Sequence, residues 1–160
     1  QDVKDGPVML VGAAEISRAC AQSLLSRGAK SIIVSNRSYD KAVELATEMK
    51  GTALKFDEWE HALHEVDVII SSTSAPHFVI KKDQIEQVMR RRRWEPLLII
   101  DIAVPRDVEP AVNDLEGVYL YDIDGLQAIA DGNRRERERQ LVVCEQIIED
   151  QLSKFGFVAE

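Results

Sequence analysis

No apolar run in this chain approaches the 18 or so residues that a membrane-crossing helix needs, so a membrane role is not expected. Positive charge is also short. Against 28 acidic residues stand 20 basic ones, a net charge of −8, and a surface of that sign repels a polyanion unless cations gather locally. Cysteine is scarce: Cys20 and Cys144 are the only two, each within an apolar helical pattern and neither beside a Cys or His at metal-ligand spacing. Both read as small core residues, no metal site is expected, and two thiols suit a reducing cytosol or plastid-like interior. The opening residues resemble no signal or transit peptide, and the missing initiator methionine suggests a start inside a longer protein. What remains is 45% hydrophobic and 30% charged over 160 residues, the profile of one globular domain with an appendage.

Organisation starts at residues 7–17, Pro-Val-Met-Leu-Val-Gly-Ala-Ala-Glu-Ile-Ser, an apolar run that stops at Gly12 and becomes helical. In a nucleotide-binding α/β domain a strand, a tight turn and a helix start in that order serve as the phosphate site. The helix presents unpaired N–H groups and the positive end of its dipole to a pyrophosphate. Gly12 with Ala13, Ala14, Glu15 and Ile16 are thus candidate cofactor contacts. The fingerprint G-x-G-x-x-G is incomplete, because Ala14 and Ser17 occupy its second and third glycine positions. Alanine places a methyl where the phosphates approach most closely, so the fold is expected to survive while cofactor affinity is in question. A buried strand-turn-helix without ligand fits this motif equally.

The rest of the chain repeats the βαβ rhythm. A helix is expected over 15–27 with Ile16, Ala19, Cys20, Ser23 and Leu24 inward, then a buried strand over 31–36. Ser38 caps a second helix to residue 50, with Tyr39, Ala42, Val43, Ala46 and Met49 on one face. A third strand covers 52–56. Asp57 is expected to cap a helix over 58–65 with Trp59, Ala62 and Leu63 inward and His61 and His64 solvated. A fourth strand runs over 67–73, and a helix over 80–93 buries Ile85, Val88 and Met89 and ends in four arginines read as a solvated helix end. The strand from Leu97 is the most hydrophobic and is expected at the centre of the sheet. A short helical turn over 110–114 and a sixth strand over 117–122 complete the domain. A pattern of about thirty helical residues follows, charged in its middle and apolar at Leu141, Cys144, Ile148, Leu152 and Phe155. That helix is expected to bury its stripe against another chain or domain. The domains are accordingly 1–124 and 125–160. The fold is expected to be a Rossmann-like, doubly wound α/β domain with a mostly parallel six-stranded sheet and a long C-terminal helix.

Two strand ends add chemistry. About 20 residues past the glycine turn, where an NAD-binding domain places an acid, the sequence has Ser35-Asn36-Arg37-Ser38. The guanidinium of Arg37 suits the 2′-phosphate of NADP, with Asn36 and Ser38 as neutral partners, and an exposed loop arginine in a surface ion pair is the alternative. The fourth strand ends in Ser71, Ser72 and Thr73, which points hydroxyls toward the crevice where doubly wound sheets bind ligands, although local hydroxyl turns produce the same pattern. Arg106 and Asp107 follow the fifth strand at the same edge.

Four segments carry a family resemblance: Asn36-Arg-Ser38, Ile70-Ser-Ser-Thr-Ser-Ala-Pro-His77, Ile99-Ile-Asp-Ile-Ala-Val-Pro-Arg-Asp107 and Tyr119-Leu-Tyr-Asp-Ile-Asp-Gly-Leu126. With them the chain resembles the NADPH-binding domain of the glutamyl-tRNA reductase family followed by the start of its spinal helix. Shikimate dehydrogenases share the turn and the Asn-Arg pair but not the last three segments. The resemblance implies that the complete enzyme reduces glutamyl-tRNA to glutamate-1-semialdehyde in tetrapyrrole biosynthesis with hydride from NADPH. It also implies a catalytic cysteine in an N-terminal domain that this chain lacks, so no catalytic residue is expected here. The family's C-terminal dimerisation domain is likewise absent, and a homodimer through the C-terminal helix is a possible assembly. Arg37, Ser38, Ser71, Ser72, Thr73 and the backbone at Ala103 and Val104 are the positions where the implied cofactor contacts fall. Glutamyl-tRNA is the implied partner of the whole enzyme, with little nucleic-acid binding by this piece. The family commonly carries Gly-Ala-Gly at the turn, where Gly12-Ala13-Ala14 stands here. The other reading is a degenerate module without cofactor that serves as a scaffold or dimerisation surface.

Overall fold

A computed structural model of the protein describes residues 8–26, 31–103 and 106–122. The long helix expected over 125–160, Cys144 and Val104 lie outside the described residues. Six strands, β1 (Val8–Val11), β2 (Ile32–Asn36), β3 (Thr52–Lys55), β4 (Val68–Ser71), β5 (Leu97–Asp101) and β6 (Val118–Asp122), form one sheet in the order β3-β2-β1-β4-β5-β6. Every pairing is parallel, so the mostly parallel sheet expected from the sequence is parallel throughout. The order reverses between β1 and β4, where a dinucleotide domain has its crevice.

Alternation along the strands divides the core into two layers. Val8, Leu10, Val34, Val68, Ile70, Leu98 and Ile100 face α1 (Glu15–Ser26) and α2 (Tyr39–Met49). Met9, Val11, Ile69, Leu97 and Ile99 face α3 (Trp59–Ala62) and α4 (Lys82–Arg91). Strands covered on both faces need continuous apolar runs, which is why β1, β4 and β5 read that way. The same logic corrects the expectation for Leu97 onward: β5 is interior, between β4 and β6, but β1 and β4 occupy the middle.

Ser38 caps α2 as expected, its Oγ accepting from the Lys41 N–H at 3.3 Å. Leu45, Ala42, Ala46 and Met49 form the buried face, whereas Tyr39 and Val43 are exposed, so the apolar face is rotated from the expected one. The helix expected over 58–65 is a single α-turn between two 3₁₀ turns, Phe56–Glu58 and Leu63–Glu65, and Asp57 makes no side-chain cap. Trp59 and Leu63 are buried, and His61 and His64 are exposed.

The arginine run departs most from expectation. Arg90, Arg91 and Arg93 are exposed, but Arg92 is buried. It donates from Nη1 to the Val66 carbonyl at 2.5 Å and from Nη2 to Asp67 Oδ1 at 3.1 Å and the Pro96 carbonyl at 2.7 Å. Left-handed backbone at Arg93 (φ 57°) and Trp94 (φ 62°) then turns the chain from α4 into β5. Arg92 thus joins the end of α4 to the turn before β4, which fixes both strands that follow.

Candidate functional site

The carboxyl edge of the sheet is in register across its middle: Val11 stands opposite Ser35 on one side and Ser71 on the other, and Ser71 opposite Asp101. The residues after this row form a rim. At its centre Gly12 has φ +98°, and a Cβ there would lie 2.9 Å from the Ser72 carbonyl carbon. Glycine is therefore required twice, by its conformation and by the approach of the β1 turn to the end of β4. No left-handed backbone occurs at Ala14, so the second fingerprint position accepts alanine without strain and its methyl matters only to a ligand. Ser17, in the third position, is fully buried and its hydroxyl is hydrogen-bonded to that of Ser72. A polar link thus replaces the bare glycine contact between helix and strand. At the start of α1, as at any helix start, the first-turn N–H groups have no acceptor within the helix, which the phosphate reading of residues 13–16 requires. Glu15 is exposed there, and the side chain of Ile16 is not among those described.

At the end of β2, Asn36 Nδ2 donates to the Ser38 carbonyl at 3.2 Å, and Ser38 Oγ caps α2. Both side chains build the turn. Between them Arg37 is exposed, its guanidinium 5.6 Å from the centre of the Phe56 ring at the end of β3. This is a cation-π distance. Of the three candidates, Arg37 is the one whose charge faces solvent at the rim.

The hydroxyls after β4 point elsewhere than into the crevice. Ser71 Oγ donates to Asp107 Oδ2 at 2.6 Å, the Thr73 N–H donates to the same oxygen at 2.7 Å, and Thr73 Oγ1 donates to Asp107 Oδ1. Asp107 is itself held by Asp101, whose Oδ2 accepts from the N–H groups of Asp107 at 3.0 Å and Val108 at 2.9 Å. Asp101 Oδ1 accepts from the Ala103 N–H at 3.1 Å, so the backbone donor expected to meet a cofactor at Ala103 is already engaged. Burial pushes the Asp101 carboxyl up to about 6, assisted by the charge of Asp107 and opposed by its three N–H donors. Sequence reading placed Asp107 at this edge without assigning it a partner. The available signal was an acid ending an apolar strand and a second acid six residues on.

His77 and Ser74 are exposed on the loop after β4. Cys20 is buried in the core, as expected. Among the described residues no group of three or more His, Cys, Asp or Glu is placed to hold a metal ion, and no helix is long and apolar enough to cross a membrane.

Comparison with known proteins places this rim in context. Residues 1–129 match the family model for shikimate/quinate 5-dehydrogenase. The chain is 43% identical over 154 residues to a glutamyl-tRNA reductase of Geobacter sulfurreducens, covering 96% of this chain and 36% of the relative. It is 47% identical over 148 residues to one of Solidesulfovibrio magneticus, covering 92% and 33%. The chain thus spans about a third of the length of the curated relatives it matches. Among solved structures, the glutamyl-tRNA reductase from Methanopyrus kandleri superposes with a TM-score of 0.73 at 42% identity, covering 97% of this chain and 39% of that one. The nucleotide-binding domain of glutamyl-tRNA reductase from Thermoplasma volcanium shares the fold at a TM-score of 0.57 and 20% identity. The architecture is that of a domain that binds a nicotinamide dinucleotide. The chain belongs to the shikimate/quinate 5-dehydrogenase family, and the relatives it resembles over nearly its whole length are glutamyl-tRNA reductases.

Proposed function

We propose that this chain is the NADPH-binding domain of a cytoplasmic glutamyl-tRNA reductase, and that the complete enzyme reduces glutamyl-tRNA to glutamate-1-semialdehyde for tetrapyrrole biosynthesis. The observation that carries this reading is the placement of an exposed Arg37 at the end of β2, one strand from the Gly12 turn and the start of α1. The helix start accepts the pyrophosphate, and Arg37 pairs with the 2′-phosphate that distinguishes NADPH from NADH. Gly12 and the N–H groups of residues 13–16 serve the first role, and Asn36 and Ser38 shape the turn that presents Arg37. Bound NADPH supplies the hydride.

The residues at the other half of the rim shape it rather than donate to the cofactor, because the hydroxyls of Ser71, Ser72 and Thr73 and the N–H groups of Ser72, Thr73 and Ala103 have partners inside the protein. Among the described residues no covalent chemistry is expected: Cys20 is buried in the core, and the resemblance puts the cysteine that attacks the ester in the family's N-terminal domain. On this reading residues 1–124 are the cofactor domain, and a homodimer assembles through residues 125–160, which lie outside the described residues. The tRNA is held elsewhere in the complete enzyme, with little affinity in this piece.

A cofactor-free scaffold is the second reading, favoured by the methyl of Ala14 and by the engaged hydroxyls. Titrating NADPH and NADH against the chain separates the two. NADPH is expected to bind at least about tenfold more tightly, a preference that Arg37→Ala removes by weakening NADPH alone. Ala14→Gly is expected to tighten both cofactors. Equal affinity for the two cofactors removes the role of Arg37, and absent binding that Ala14→Gly restores establishes the scaffold.

A further inference from the structure

Asp101 and Asp107 are the two most deeply buried carboxylates among the described residues. Both sit at the carboxyl edge, beside the crevice. Every polar atom of Asp107 has a partner. Its carboxylate takes the Ser71 and Thr73 hydroxyls and the Thr73 N–H, its N–H goes to Asp101 Oδ2, and its carbonyl accepts from the N–H groups of Val79 at 2.8 Å and Ile80 at 3.0 Å. One residue therefore ties together the end of β4, the bridge at Ile80 and Val108, and the segment after β5 that Asp101 folds back.

Those segments bound one half of the rim and not the other. In a doubly wound sheet the dinucleotide lies across the point where the strand order reverses. The adenosine half then stands over β2, where Arg37 is, and the nicotinamide half over β4 and β5. A buried polar group is costly unless its hydrogen bonds are complete, and a complete network fixes one geometry. We infer that Asp107 is a positioning residue for the nicotinamide half of the cofactor, holding Ser71 and Thr73 at the end of β4 and Asp101 at the end of β5 at the spacing that the nicotinamide and its ribose require. The inference rests on the reading of the chain as an NADPH-binding domain.

Comparing NADPH with 2′,5′-ADP tests it, since the second ligand carries the adenine and the 2′-phosphate but no nicotinamide. Asp107→Asn keeps the shape and removes one acceptor, and it is expected to weaken NADPH by about tenfold to a hundredfold while leaving 2′,5′-ADP within about twofold. Thr73→Val is expected to shift NADPH in the same direction, and Thr73→Ser, which keeps the hydroxyl, to recover most of the affinity. A merely structural role moves both ligands together. Loss of NADPH and 2′,5′-ADP alike, or variants that bind NADPH as the parent does, overturns the inference. So does a parent chain that binds NADPH no more tightly than 2′,5′-ADP. If the parent binds neither ligand, the NADPH reading itself falls and the inference with it. Should Asp107→Asn fail to fold, the Thr73 pair decides on the same two ligands.

Discussion

The guanidinium of Arg92 meets the carboxylate of Asp67 at 3.1 Å with only 2% of the arginine side chain and 17% of the aspartate side chain exposed. Burial raises the Asp67 carboxyl above its ordinary value even though Arg92 beside it pulls the other way. The arginine also satisfies the carbonyls of Val66 and Pro96, so its removal leaves an anion and two carbonyls without their donor.

Arg92→Met is accordingly expected to destabilise the chain by about 3–5 kcal/mol, the usual cost of breaking one side of a buried pair. Arg90→Met and Arg91→Met, on exposed side chains, should change stability by less than about 0.5 kcal/mol. Urea unfolding of the three variants checks the contrast. Equal effects at the three positions would show that the arginines act as one solvated end.

Gly12→Ala is expected to cost about 1–3 kcal/mol or more, because the new Cβ meets Ser72 backbone atoms in a conformation that side chains avoid. Since the clash is with backbone, Ser72→Gly in the same molecule should not relieve it. Thermal unfolding of the single and double variants measures both statements.

The pH dependence of stability should carry the mark of Asp101. Its carboxyl titrates at about 6 in the folded chain, against roughly 3.9 once unfolded. Between those values the folded protein holds a proton that the unfolded chain has released. Stability from this group therefore falls as pH rises through the window and is regained on acidification toward pH 4. The stability difference between the parent and Asp101→Asn is expected to change by about 2–3 kcal/mol across it. A difference constant from pH 4 to pH 8 would refute the assignment.

Much of the architecture could be read from the chain because its causes are local. Apolar runs of strand length, Gly12 at a turn and Ser38 at a helix start each act on near neighbours, and each is found where expected. What escaped depends on residues distant in sequence. Arg92 looks like its three neighbours in the chain, and only the carbonyls of the turn before β4 and of the segment before β5 distinguish it. The hydroxyls of Ser71 and Thr73 sit at a ligand-binding edge, yet Asp107, 36 and 34 residues away, turns them inward. Continuous hydrophobicity marked β5 as interior but could not rank it against β1 and β4, because every strand covered on both faces reads alike.

Ser17 and Ser72 come from opposite sides of the line along which the sheet changes direction, one in the helix after β1 and the other just past β4. Their linked hydroxyls add one side-chain tie across the paired β1 and β4, so replacing either serine by alanine leaves the other's buried hydroxyl without its partner.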